Sequence, residues 1–594
     1  MTDYRHTSGE CDIIMKGGIT SGVVYPKTIL RLAMQKRFRC IGGTSAGAIA
    51  AVMTAAAEYN RAGGGFDAIA GLPSELQHKL LALFQPYPQF KPLFDAALRF
   101  SRGEKARAAF GLLMANAGLW RKEALIGLAV GLTPLLFGDR LAAALLVVIL
   151  VAVSVARGAV QIVRNALRDL QGADFGMCPG PTQPYAKAAD SVPGLIDWLA
   201  EKIELAAGRM TEGGPKPERP LLFEDVWAGR DGAGDAKRRV VDLRMMTTNL
   251  SVRRPHTLPD LDAEADPGSL HYFSEAKFRL IFPGWVVDYL VADAQTISGP
   301  DVDWMKTQGY LPMPTKGRMP LVVAARMSLS FPILFTTVPL HRVRKVGDAR
   351  DVEHMLFSDG GLSSNFPIHF FDALLPGRPT FGVSLESVDE KMPDRRVHLP
   401  FSDEVHLNST PIQDLFGFLG RLVDAAKDWQ DRLQSTLPGY RERIVSIYLK
   451  DNEGGLNLDM PAPIIESLVG LGDRAGALAT GASLDPADEH VFDFDEHRWR
   501  RFLVAFAAAE DVLMKAAWSW KASGCGTRDF IARYKDAARS FRGETPDEHA
   551  WREQVFQRFD GLMAHVDAWP DALAEAKDAQ VPQPRTRVRL SPTY

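Results

Sequence analysis

The spacing of apolar residues changes several times along the chain, and each change predicts a different element. Asp12 to Met15 is a short apolar run that leads into the glycine-rich stretch KGGITSG, residues 16–22. Val23 to Gln35 then has helical spacing, with Pro26 tolerated near its first turn. A second apolar run, Phe38 to Ile41, meets two glycines, then Ser45, then an alanine-rich helical stretch that reaches Tyr59. Strand, loop, helix, strand, turn, helix is the opening of an α/β domain.

From 61 to about 219 this pattern is interrupted. AGGG at 62–65 breaks it, alanine-rich basic segments follow, and an unusually apolar region begins near 124. LIDWLAEKIELAAGR, 195–209, reads as an amphipathic helix, and TEGGPKPERP, 211–220, as a linker. The α/β pattern returns near 239 with a strand in VVDLRMMTTNLS. A helix is expected at 320–330, a strand ending in a glycine turn over 354–367, and further strands at 380–386 and 443–449. Beyond 470 the spacing is mostly helical, and the tryptophans there are expected as core anchors. The tail from 581, with its Pro and Arg residues, is expected to be disordered. The fold class expected is therefore α/β: three layers around a central, mostly parallel sheet. The α/β segments are 11–60 and 220–460, the inserted helical region is 61–219, and a helical extension covers 461–594.

Composition narrows the partners. The chain has 594 residues, 24% of them charged, and a net charge of −3, so no broad basic surface argues for nucleic acid. Its four cysteines are Cys11, Cys40, Cys178 and Cys525. They are too scattered for a zinc ribbon or a disulfide framework, which suits a reducing compartment. The first dozen residues are polar and hold no apolar core of a signal peptide.

Gly43-Thr44-Ser45-Ala46-Gly47 fits the G-x-S-x-G elbow, in which a serine sits at the tip of a sharp strand-to-helix turn between small neighbours. The start of the following helix favours developing negative charge. A serine alone is a weak nucleophile and needs a base and an oxyanion site. Main-chain N–H groups of the 16–22 loop are placed to supply the second. That loop is not a P-loop, because Val23 stands where the lysine is required, and it does not meet the G-x-G-x-x-G dinucleotide pattern. Asp359, in Ser358-Asp359-Gly360-Gly361 at the end of an apolar run, is the candidate base; such a sequence is also a common turn.

Glycine loop, elbow and strand-end aspartate in this order resemble the patatin-like phospholipase family of bacterial type, over residues 11–60 and 220–460. AARMSLSFPILF, 324–335, also resembles that family's helix before its last core strands. The resemblance implies a lipid acyl hydrolase of the phospholipase A or lysophospholipase type, with no cofactor and no metal. It implies Ser45 as nucleophile, Asp359 as base without histidine, and Gly17 and Gly18 as oxyanion contributors. The chain departs from the family loop, which has three consecutive glycines and a later basic residue: Ile19 and Ser21 stand at those positions. Lys16, just before the loop, is an alternative source of positive charge. Two rival readings stay open. One is a Ser-Asp-His esterase using His369, His398 or His406. The other is a catalytically weak membrane-binding scaffold.

ALIGLAVGLTPLLFG, 124–138, and LAAALLVVILVAVSVA, 141–156, carry no charge. As helices they would each reach about 22–24 Å, short of a hydrocarbon core of about 30 Å. They are expected either as a buried hairpin or as one that dips into or crosses a bilayer, and the absence of a polar face favours the bilayer. Arg121 and Lys122 before the pair, and Arg157, Arg164 and Arg168 after it, put both ends on the cytoplasmic side, as at a bacterial inner membrane.

Overall fold

The structure is a computed structural model. It describes all residues except 1–3, 19, 102–103, 138–139, 187–191, 262–269, 348, 389–391, 401–430, 451, 455–456, 487, 489, 523–526, 536–544, 570–581 and 583–594. Ile19, Asp139, His406, Cys525 and nearly all of the tail from 581 thus lie outside the described residues.

Thirteen strands are described: β1 Gly9–Met15, β2 Lys36–Gly43, β3 Gly176–Cys178, β4 Asp242–Asn249, β5 Arg254–Leu258, β6 Tyr272–Phe273, β7 Leu311–Pro312, β8 Ile333–Phe335, β9 Val338–Val346, β10 Ala349–Asp359, β11 Thr380–Ser387, β12 Val397–His398 and β13 Ile444–Leu449. Eleven form one sheet in the order β12-β13-β11-β1-β2-β4-β10-β9-β6-β7, with β5 on β4; β3 and β8 pair separately. The centre, β13-β11-β1-β2-β4, is parallel, and the flanks add antiparallel strands. The expected α/β class with a parallel centre is what the chain adopts. Cys11 to Met15 on β1 are all buried, as expected of a strand covered on both faces.

Eight helices of the first half matter below: α1 Tyr25–Gln35, α2 Ala46–Tyr59, α3 Gly65–Lys79, α4 Lys91–Ser101, α5 Lys105–Ala115, α6 Arg121–Gly131, α7 Arg140–Gly172 and α8 Leu195–Ala206. α3 and α8 fall within the span that reads as an insertion, yet both pack on α2 and share the main core. The helix Ala462–Ala479, from the span that reads as an extension, packs on α1. Its Gly472 and Gly476 lie against backbone carbonyls of Val24 and Thr28, where a β-carbon would collide. Position along the chain did not reveal the α8 and Ala462–Ala479 packings, because each joins segments far apart in sequence; α3 follows α2 directly across a short turn.

Three tryptophans of the C-terminal helices are not core anchors. Trp499, Trp518 and Trp551 are exposed at 55%, 71% and 64%. Helical spacing gave a face, but these helices are long and have too few neighbours to cover it.

The apolar pair departs from two equal helices. α6 ends at Gly131 and a 3-10 turn holds Thr133–Phe137. α7 then runs for 33 residues, about 50 Å at 1.5 Å per residue. The two helices lie together through small residues. A β-carbon at Gly127 would meet Leu150, one at Gly131 would meet Val147, and Gly158 is covered by Trp120. The outer surface is bare: Ile126 is 63% exposed, Leu136 83%, Leu141 74% and Val148 65%. The buried-hairpin expectation is therefore overturned. Only the far end of α7 reaches the main core, through Leu170 and Ala173 just beyond it.

Candidate active site

β2 delivers the chain to the elbow. Ser45 has φ 54° and ψ −129° and is the N-cap of α2, a left-handed conformation that glycine adopts far more readily than serine. The turn closes tightly enough that a β-carbon at Gly43 would overlap the Gly47 carbonyl, and one at Gly47 would overlap that of Met15. Both G positions of the elbow are thus required by backbone contact. Ser45 is buried, with 4% exposure.

Asp359 ends β10. Across β4, Asp359 faces Thr247 while Gly43 faces Met245. Elbow and aspartate therefore sit at the same end of the sheet, on strands separated by β4 alone, about 10 Å between strand axes. A β-carbon at Gly360 would overlap the Met246 carbonyl, which explains the first glycine after the aspartate. Gly361 N–H donates to Asp359 Oδ1 at 2.6 Å, which fixes the carboxylate against its own turn.

The segment that follows the helix Leu321–Ser328 ties the two together. Ser45 N–H donates to Ser328 Oγ at 3.3 Å. Asp359 N–H and Ser358 Oγ both donate to the Ser330 carbonyl, at 3.0 and 2.8 Å. Beneath them Arg326 is fully buried. It donates to Ser330 Oγ at 2.6 Å, to the Pro179 carbonyl at 3.0 Å, and to both oxygens of Thr336 at 2.9 Å. Burial lowers its pKa to about 10, so the guanidinium stays charged at neutral pH, and it stacks on Phe335.

Asn365 performs a similar service for the glycine loop. Its carbonyl accepts from Gly17 N–H at 3.0 Å and from Thr44 Oγ1 at 2.9 Å. Asp431 in turn holds this segment, accepting from Asn365 N–H at 2.6 Å, Phe366 N–H at 2.9 Å and Ser364 Oγ at 2.7 Å. A β-carbon at Gly17 would stand 2.9 Å from Ser45 Cβ, so the loop does lie against the elbow. One expectation needs correction: the Gly17 amide is committed to Asn365 and faces away from an oxyanion role. Gly18 is the part of the pair left for it, half-buried beside Ser21.

Lys16 is corrected as well. Its Nζ pairs with Glu386 Oε1 at 2.6 Å, and Ser384 Oγ donates to the same oxygen at 2.6 Å. Burial pushes the Glu386 carboxyl up, but the ammonium and hydroxyl outweigh it and hold it below its ordinary value. The lysine charge is thereby neutralised locally.

Of the three candidate histidines, His406 lies outside the described residues. His398 is on β12, four strands from β2, about 19 Å away. His369 has its pKa lowered by burial, against opposing pulls from Asp431 and Gln434; its ring packs on Phe370.

Asn365, Asp431, Arg326, Ser328 and Ser330 were not singled out from the sequence. Ser328, Ser330 and Arg326 lie inside the stretch 324–335 and Asn365 just after the aspartate turn, but only the fold gives them partners. Asp431 carried no local signal.

Beside the elbow lies an apolar recess, with about 730 Å³ of empty space including its mouth, walled by α1, α2, α3 and α8.

The chain is 31% identical to the RpoH suppressor of Rhizobium meliloti (strain 1021), across 98% of this chain and 99% of that protein. It belongs to the RpoH suppressor family. No family model matches the chain. The crystal structure of VipD from Legionella pneumophila is similar over 97% of this chain and 88% of that one, with 12% identity and a TM-score of 0.27. At that score the fold rests on the sheet topology above.

Proposed function

We propose that this protein is a serine acyl hydrolase of the patatin-like phospholipase type, acting on fatty acyl esters of lipids through Ser45 and Asp359. The observation that carries the reading is the corner itself. A serine in a left-handed elbow conformation and a strand-end aspartate are bound to one short segment, Ser328–Ser330, at one end of the sheet.

In this reading Asp359 accepts the proton as Ser45 Oγ attacks the acyl carbon. The developing oxyanion is met by Gly18 N–H and by the N-terminus of α2. The alcohol leaves with a proton, and water then releases the fatty acid from the acyl-enzyme. Ser45→Ala and Asp359→Asn should each lower kcat by about a thousandfold or more, with little further loss together, since residues acting as a unit are not additive. Hydrolysis of p-nitrophenyl esters by folded variants is the measurement. Full activity in Ser45→Ala would overturn the reading, and a folded His369→Ala variant as inactive as Asp359→Asn would replace the dyad with a triad.

We also propose that the α6–α7 hairpin binds the cytoplasmic face of a bilayer. α7 holds an 18-residue window of mean hydropathy 2.5 of which 17% is buried. Arg157, Arg164 and Arg168 recur on one side of its second half, where a bilayer surface would meet them. Deleting 124–156 behind a short Gly/Ser linker should shift the protein from vesicle pellet to supernatant while hydrolysis of soluble esters survives. A deletion variant that still pellets with vesicles would overturn it.

A further inference from the structure

Two apolar recesses lie on the helical side of the sheet, and one side chain, Phe84, lines both. The inner recess starts at Ala46, the residue after Ser45. It follows one face of α2 through Ile49, Ala50 and Met53, positions that recur at helical spacing, for about 10 Å at 1.5 Å per residue. Leu72 and Leu76 of α3 and Leu195 of α8 face them. Polar groups in this wall are already occupied. The Tyr25 hydroxyl donates to the Lys16 carbonyl, and the Trp198 indole N–H donates to Glu75 Oε1 at 3.1 Å. What faces the recess is hydrocarbon.

The outer recess holds about 690 Å³ of empty space including its mouth; Leu81, Phe94, Leu98 and Val192 line it together with Phe84, and Gln85, Lys91, Asp95 and Tyr185 also border it. α4, which supplies Phe94 and Leu98, is followed in the chain by α5 and then the hairpin. Phe84 is 6% exposed and packs on Phe335, with ring centroids 5.8 Å apart. The ring is therefore held in place where the two linings meet.

We infer that the inner recess is the acyl-chain site of the proposed reaction and that Phe84 sets the length of chain it accepts. This rests on the acyl hydrolase reading of Ser45. A recess without hydrogen-bonding groups gives water no partner, while an alkyl chain gains by leaving water. A chain esterified to Ser45 starts beside Ala46, at the head of the apolar face of α2. A short chain ends within the inner recess, whereas a long one must pass the Phe84 ring to reach the outer one.

The test compares p-nitrophenyl butyrate, octanoate and palmitate as substrates of wild type, Phe84→Ala and Phe84→Trp. The palmitate-to-butyrate ratio of kcat/KM should rise roughly tenfold in Phe84→Ala and fall in Phe84→Trp. If Phe84→Ala does not fold, Leu98→Trp fills the outer recess from its far wall and should lower the same ratio. A second readout needs no turnover: palmitate binding to Ser45→Ala, followed by displacement of a fluorescent fatty acid, should tighten when Phe84→Ala is added. An active wild type whose ratio and palmitate binding ignore residue 84 overturns the inference and leaves the hydrolase reading standing. No esterase activity in wild type, with palmitate binding that follows the size of residue 84, overturns the hydrolase reading and keeps the acyl site.

Discussion

The Ser45–Asp359 corner and the α6–α7 hairpin break the same rule in opposite directions. At the corner, polar side chains are inside: Ser45, Arg326, Ser330, Ser358 and Asp359 are all buried. In the hairpin, large apolar side chains are outside, with Leu136 and Leu141 among the most exposed. The corner tolerates this because its groups hydrogen-bond one another, and a bonded buried polar group loses little relative to water. Among the described residues nothing covers the hairpin's outer side chains, which is the observation behind the bilayer proposal. Burial contradicts chemistry in both places, but only the corner satisfies its own groups.

That contrast can be broken most sharply at Arg326. Arg326→Met should remove the donors to Pro179, Ser330 and Thr336 and destabilise the fold by about 3 kcal/mol or more, read as a lowered denaturation midpoint. Leu141→Asp on the hairpin should change the midpoint by about 0.5 kcal/mol or less. An equally unstable Leu141→Asp variant would show that the hairpin is packed after all.

Asp431→Ala comes next. It strips three acceptor contacts from the 364–366 segment and should cost about 1.5–3 kcal/mol. Esterase kcat should fall with it, because the segment positions Gly17 against the elbow. Asp431→Asn should recover part of that loss; no recovery in a folded variant would mean that the charge itself acts in the site.

On the hairpin side, Leu136→Ser and Leu141→Ser together should weaken vesicle binding by roughly tenfold or more, at about 1.5 kcal/mol or more per side chain withdrawn from the bilayer. Soluble-ester hydrolysis should stay unchanged. Co-sedimentation with vesicles unchanged by the pair would remove the bilayer from the comparison.

A further test is a pH dependence set by two buried histidines, His341 on β9 and His497 on the helix Phe494–Lys521. Burial, with the neighbouring His354, lowers the pKa of His341 from 6.5 to about 4. Burial and nearby arginines lower His497 to about 3. The unfolded chain takes up protons near 6.5 that the native state refuses, so stability is full above that pH and declines as pH falls toward 4. Thermal denaturation across this range should show the decline, and His341→Gln should flatten it. A midpoint that rises on acidification would contradict the sign.

Much of this was legible in the sequence, and what was missed has a common cause. Strands β1, β2, β4, β10, β11 and β13 and the elbow could be read because their signals are local: alternating or continuous apolar runs, and glycines at fixed offsets from Ser45 and Asp359. The Gly17 amide was misassigned because its partner, Asn365, lies 348 residues away in the chain. Lys16 was misread for the same reason, its partner being Glu386. The α8 and Ala462–Ala479 packings are equally long-range. In the hairpin, hydropathy foretold two apolar helices but not that the second continues to Gly172, since the basic, amphipathic second half of α7 has a different composition on the same continuous helix.

The backbone of Ser45 carries an evolutionary consequence. With φ 54° and ψ −129°, this position is one that glycine would fill with less strain. Mutation therefore pushes steadily from serine to glycine there, in the direction of greater stability. A lineage that ceased to use the hydroxyl would be free to drift that way within the unchanged elbow. In the hydrolase reading, serine at 45 stands against that slope, and its replacement by glycine in a descendant would mark the loss of activity before any change of shape.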